Sequence, residues 1–175
     1  EPIAPALTGQ VLDHCVRLDP NARISVEVLD EWYSDQAFDE SVLGQVVGRP
    51  VVQSLEQLKT LSATKIIVSG ISDAGPLQAR FGRQLNIVLT DKGTLLQISA
   101  RNATKEHAVA VLGQVLGIPL SRMIAFGDDT NDLGLFQACG YSVAMANAVE
   151  PLQRIADEMT KRNDDDGVAI VLERI

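Results

Sequence analysis

From Thr104 onward the apolar residues alternate between helical and strand spacing at short intervals, and that rhythm admits few folds. Strands joined through helices pair in parallel, because each connection must cross back over the sheet before the next strand begins. The spacing predicts a helix over 104–116, where Ala108, Val111, Leu112, Val115 and Leu116 recur at helical intervals. Thr104 caps it, and Gly117 followed by Pro119 ends it. Strand 123–126, helix 131–139 closed by Gly140, strand 142–145, a helix after Asn147 and a short piece near Met159 follow. Residues 168–172 read as a terminal helix or strand behind an acidic loop at 164–166, with Asp166 as the cap.

Before residue 99 the pattern is different. A helix is expected over 5–18 with Val11, Leu12, Cys15 and Val16 inward. Ile24, Val26 and Val28 alternate with Ser25 and Glu27, as in a half-buried strand, and Trp32 and Tyr33 fall on or near its return. Ser54 and Gln57 form a capping box for a helix through Leu61. Strand 65–69 and a short helix over 76–81, with Pro76 at its start and Gly82 past its end, come next. Segments 85–89 and 95–98 flank Asp91-Lys92-Gly93, a hairpin signal. That order gives a mostly antiparallel sheet with helices on one face. The division falls near 99–102, so two domains are expected, 1–98 and 99–175.

The chemistry concentrates where Ile124-Ala125-Phe126 runs into Gly127-Asp128-Asp129-Thr130-Asn131-Asp132. Carboxylates side by side raise each other's pKa unless a cation offsets them, and oxygen-rich clusters suit magnesium. In parallel sheets ligands gather at the carboxyl ends of the strands, where Asp128 and Asn147 both fall. Asp132 lies four residues after Asp128, close enough in a helical turn to bind the same ion or to orient a group that does. Asp129 reads equally as a solvated turn residue, and Thr130 as the helix N-cap. Asn147 with Glu150 forms a capping arrangement. Lys105 stands in the first turn of its helix, where the macrodipole disfavours a cation; a bound phosphate would resolve that conflict. A calcium loop is excluded, because Leu133 occupies the position that needs glycine.

Taken in order, Lys105, the run Gly127 to Asp132, Val143-Ala144-Met145-Ala146-Asn147-Ala148 and Asp165-Asp166-Gly167-Val168-Ala169 resemble the C-terminal part of a haloacid dehalogenase superfamily phosphatase. The type is Cof-like, with a large inserted cap, and residues 7–98 resemble that cap by element order. The resemblance implies a partial doubly wound parallel sheet plus an α+β cap domain. It implies Mg²⁺ held by Asp128 and Asp132, catalytic roles for Lys105, Asp128 and Asp132, and substrate contacts from Lys105, Asn131 and Asn147. The implied reaction removes phosphate from a small metabolite through an aspartyl-phosphate, with the cap selecting the leaving group. Its nucleophile, in a strand ending Asp-x-Asp-Gly, is not visible; Asp164-Asp165-Asp166-Gly167 follows a polar stretch instead of an apolar strand. With Glu1 in first place, the chain is expected to be part of a longer protein and inactive alone. Glu106 stands where glycine commonly follows the lysine, and Leu135 where methionine is usual. A phosphomutase of the same superfamily and a non-catalytic binding module are the alternatives, the latter needing self-association or another segment to cover an open sheet edge.

A net charge of −8 argues against sequence-blind nucleic-acid binding. No apolar run approaches membrane-spanning length, and two cysteines make no disulfide framework, so a cytoplasmic setting is expected.

Overall fold

The computed structural model describes residues 1–39 and 48–174, which form two compact units, Glu1–Ala103 and Thr104–Ile175.

The first unit is built on a six-stranded sheet. Its strands are β1 (Arg23–Val28), β2 (Glu31–Ser34), β3 (Val51–Val52), β4 (Lys65–Ser69), β5 (Leu85–Thr90) and β6 (Leu95–Ala100), in the order β3-β2-β1-β4-β6-β5. All pairings are antiparallel except β2–β3. Register places Ile24 opposite Val68, Val26 opposite Ile66, and Ile66 and Val68 opposite Ile98 and Leu96. These β-branched and aliphatic partners form one continuous apolar face. Against it pack α1 (Pro5–Leu18) through Val11, Leu12 and Cys15, α2 (Leu55–Leu58) through Leu58, and α3 (Gly75–Phe81) through Leu77 and Phe81.

Three local expectations need correction. Ser25, expected on the wet face of β1, is buried, because β1 has neighbours on both sides and the small side chain lies between them. The Ser54–Gln57 capping box is present, but α2 ends at Leu58 and not at Leu61: Thr60 and Leu61 donate to the carbonyls three residues back, tightening the chain into a turn. The β5–β6 hairpin forms at the expected place, with Asp91, Lys92 and Gly93 all at positive φ. Asp91 and Lys92 bear part of the left-handed conformation that glycine alone adopts without strain. Thr94 Oγ1 donates to the Asp91 carboxylate at 2.7 Å and braces that turn.

The second unit carries a three-stranded parallel sheet, β7 (Ile124–Gly127), β8 (Tyr141–Ala144) and β9 (Glu158–Met159) in that order. Its helices are α4 (Lys105–Leu116), α5 (Leu133–Ala138), α6 (Glu150–Ile155) and α7 (Gly167–Leu172). Thr104 caps α4 by accepting the His107 N–H, and Gly117 ends it at φ 66°. The buried cluster here is small: Ala125, Phe136, Ala144, Ala148 and Leu152. The apolar stripe of α4 stays largely uncovered, with Val111, Leu112, Val115 and Leu116 at 47, 51, 77 and 58% exposure. Gly113 is the buried residue of the helix, where a Cβ would lie 2.7 Å from the Ile118 carbonyl oxygen and 3.1 Å from Met123 Cε.

Among the described residues no helix is long and apolar enough to cross a membrane.

Candidate active site

Strand β7 delivers Asp128 immediately past its last residue, and the chain then tightens into a single 3₁₀ turn, Thr130–Asp132, before α5 begins. The N-cap of that turn is Asp129, not Thr130. Its carboxylate accepts the Thr130 N–H at 2.7 Å and forms a reciprocal capping box with Asp132. Aspartate wins the position because its carboxylate is an acceptor only, and it faces the free N–H groups of a helical start.

Asp132 folds back under the strand end and is buried. Its Oδ2 accepts the backbone N–H groups of Asp128 and Asp129 at 3.1 and 3.2 Å. Its Oδ1 meets Lys105 Nζ at 2.5 Å. Gly127 makes this possible: a Cβ there would lie 2.7 Å from Cβ, Cγ and Oδ2 of Asp132. The glycine in the motif is therefore a notch for the aspartate five positions later. Lys105 is the first residue of α4, and the Asp132 charge offsets the unfavourable dipole there. The ammonium also points at Asn131 Oδ1, 3.4 Å away, and its side chain is 49% exposed, so donors remain for a ligand.

Asn147 does not cap a helix. Helix α6 starts at Glu150 behind Val149, which offers no side-chain cap. The Asn147 amide is used elsewhere: Nδ2 donates to Asp128 Oδ2 at 2.9 Å, and Oδ1 accepts the Asn163 N–H at 3.2 Å. The Val149 N–H donates to the Asp128 carbonyl at 2.9 Å, so the 147–149 turn grips Asp128 by side chain and backbone. Asp166 precedes α7 at φ 56° without a side-chain cap bond, so the expected cap is absent there too.

The five residues singled out in the sequence thus form one cluster at the carboxyl end of β7 and β8: Lys105, Asn131 and Asp132 on one side, Asp128 and Asn147 on the other. Two neighbours went unrecognised in the sequence. The Asn163 N–H is a backbone group and leaves no mark in residue type. Glu106 lays its carboxylate on Gly134, where a Cβ would come within 2.5 Å of it, and the pairing of a missing side chain with a long one carries no local signal. A cavity of 330 Å³, lined by Ile124, Tyr141, Glu158, Val171 and Arg174, lies at the opposite, amino end of the strands and is not part of this cluster.

Among the described residues no group of three or more histidine, cysteine, aspartate or glutamate side chains could hold a metal ion. What the cluster offers a cation is one half-buried carboxylate, Asp128, whose Oδ2 is held by Asn147 and whose Oδ1 makes no hydrogen bond among the described residues. That suits magnesium, which is commonly bound through one or two carboxylates with water and substrate phosphate completing the shell.

Known proteins share this arrangement of chain. A phosphatase of Bacillus subtilis, YwpJ, is 40% identical over 79 residues, 45% of this chain and 28% of that protein. The 5-amino-6-(5-phospho-D-ribitylamino)uracil phosphatase YwtE of the same organism is 32% identical over 81 residues, 46% of this chain and 28% of that protein. The matched part is under a third of the length of each of these relatives. A crystal structure from Thermotoga maritima superposes with a TM-score of 0.74 at 26% identity, over 100% of this chain and 68% of that one. A sugar phosphatase of haloacid dehalogenase subclass IIB superposes with a TM-score of 0.81 at 17% identity, over 99% of this chain and 67% of that one, a likeness of fold. The family model for haloacid dehalogenase-like hydrolases matches residues 1–172, and the chain belongs to that family.

Proposed function

We propose that this chain supplies the cation carboxylate and the phosphate-binding lysine of a magnesium-dependent phosphatase acting on a small phosphorylated metabolite. The observation behind this reading is the Lys105–Asp132 pair beside Asp128 at the carboxyl ends of two parallel strands. Relatives named as phosphatases support the reaction class.

In this reading Asp128 presents Oδ1 to the cation, and Asp132 holds Lys105 and the turn in place. Lys105 directs its ammonium at the oxygens of the transferring phosphoryl group, where charge develops in the transition state. Asn131 offers its amide to a phosphate oxygen. Magnesium, when bound, neutralises charge between the attacking group and the phosphate. The phosphoryl acceptor is assigned to an aspartate, giving an aspartyl-phosphate that water cleaves. Among the described residues no strand ends in Asp-x-Asp-Gly, and in this reading the chain alone is inactive. Residues 1–98, which lie within the first unit, take the part of the cap, and a cytoplasmic setting belongs to the same proposal.

The test is hydrolysis of p-nitrophenyl phosphate by the complete gene product with and without Mg²⁺. Asp128→Ala is expected to abolish the Mg²⁺-dependent rate; undiminished turnover overturns the assignment.

A further inference from the structure

Asn147 sits between the Asp128 carboxylate and the chain at Asn163, and the chemistry of its two neighbours fixes which way its amide points. The Asn163 backbone N–H can only donate, so it must face Oδ1. The Asn147 NH₂ group is thereby turned toward Asp128, whose Oδ2 accepts it at 2.9 Å. An amide free to flip could present either end to a ligand; this one is held in a single orientation by a backbone group that cannot change its role. The consequence for Asp128 is directional. One carboxylate oxygen is occupied, the other is left open among the described residues, and the Val149 N–H on the Asp128 carbonyl holds the residue's backbone in place.

We propose that Asn147 is a positioning residue that presents Asp128 Oδ1 to a divalent cation and couples that carboxylate to the 161–166 loop through the Asn163 N–H. This rests on the reading of Asp128 as a cation ligand. It differs from a substrate contact by Asn147, because the amide oxygen and one N–H are already committed within the protein. Groups that orient a metal-binding side chain commonly change metal affinity by about 10- to 100-fold when removed, without touching the ion.

The test separates cation binding from substrate binding. The complete gene product and its Asn147→Ala, Asn147→Ser and Asp128→Ala variants are titrated with Mg²⁺ calorimetrically without substrate. The KM for p-nitrophenyl phosphate is then measured at saturating Mg²⁺. Both Asn147 variants are expected to weaken Mg²⁺ by about tenfold or more, with KM at saturating Mg²⁺ within about twofold of the parent. Serine keeps a polar group but is too short to span both partners, so it decides the matter should the alanine variant unfold. An unchanged Mg²⁺ affinity with a raised KM overturns the proposal and makes Asn147 a substrate ligand. Unchanged Mg²⁺ binding in Asp128→Ala overturns the underlying reading of Asp128 itself.

Discussion

Replacing Asp132 by asparagine keeps the shape of the side chain and removes its charge, and the structure says what that costs. Both carboxylate oxygens are in use, Oδ1 toward Lys105 and Oδ2 toward the N–H groups of Asp128 and Asp129. An amide has one acceptor end and one donor end, so it cannot serve both sides. With its oxygen toward Lys105, the NH₂ group would face two backbone donors, each left unsatisfied at about 1–3 kcal/mol. With its oxygen toward the backbone, only the lysine contact is lost. A hydrogen bond to a charged group is worth about 1.5–3 kcal/mol when buried. Because Lys105 is 49% exposed, screening reduces this to about 1 kcal/mol. The second orientation therefore prevails, and the melting temperature should fall by about 4–8 °C for a domain of this size. On the proposed assignment Lys105 is released and the rate should fall, while Mg²⁺ affinity should stay within about tenfold, Asp128 being the ligand it leaves in place. Calorimetric melting and Mg²⁺ titration of Asp132→Asn check both parts. Mg²⁺ binding lost as deeply as in Asp128→Ala, with an unchanged melting temperature, would refute the argument and make Asp132 a direct ligand.

Gly127→Ala should destabilise by about 1–3 kcal/mol, since the added methyl lands 2.7 Å from Asp132; an unchanged urea midpoint would mean that Asp132 moves freely. Burial pushes the Cys15 thiol up to about 12, so a disulfide reagent at neutral pH should modify the more accessible Cys139 first and reach Cys15 only on unfolding. Comparable early labelling of both thiols would contradict this. The Ser142 hydroxyl and N–H hold the Asp157 carboxyl below its ordinary 3.8. Its contribution is complete above that value and lost as pH falls through the lower native pKa. Ser142→Ala should flatten this acid limb of the stability curve, and an unaltered limb in acid-unfolding measurements would remove Asp157 from the account.

Much of this was legible in the sequence for identifiable reasons. Elements fixed by their own residues came out as expected: α1 by its apolar spacing, α4 by Thr104 and Gly117, the β5–β6 hairpin by Asp91 to Gly93. The cluster residues were legible because the chemistry of the Gly127–Asp132 run is local, and Lys105 stood out by defying the helix dipole. What failed were three of the caps. Thr130, Asn147 and Asp166 each fit a capping pattern, yet Asp129 takes the first position and Asn147 is drawn away by Asp128 and Asn163, a choice made by tertiary contacts. Periodicity also predicted the α4 helix without saying whether its apolar stripe would be covered, because spacing reports a face and not its partner.

The unequal cores of the two units set an order of opening. The first unit locks its sheet beneath three helices, with Leu12, Ile24, Ile66, Leu96 and Phe81 essentially sealed from water. The second buries a smaller cluster of three alanines, one phenylalanine and one leucine, with Val143, Met145 and Val171 also buried, so its amides should exchange with solvent sooner. The candidate site belongs wholly to this more weakly protected body. Anything that settles on the α4 stripe, another copy of the chain or another segment, raises its stability by mass action in proportion to RT ln(1 + [L]/Kd). Occupancy of a face formed by Val111 and Val115 and the lifetime of the Asp128 cluster are therefore linked quantities, and the melting temperature of this unit should rise with the concentration of whatever binds there.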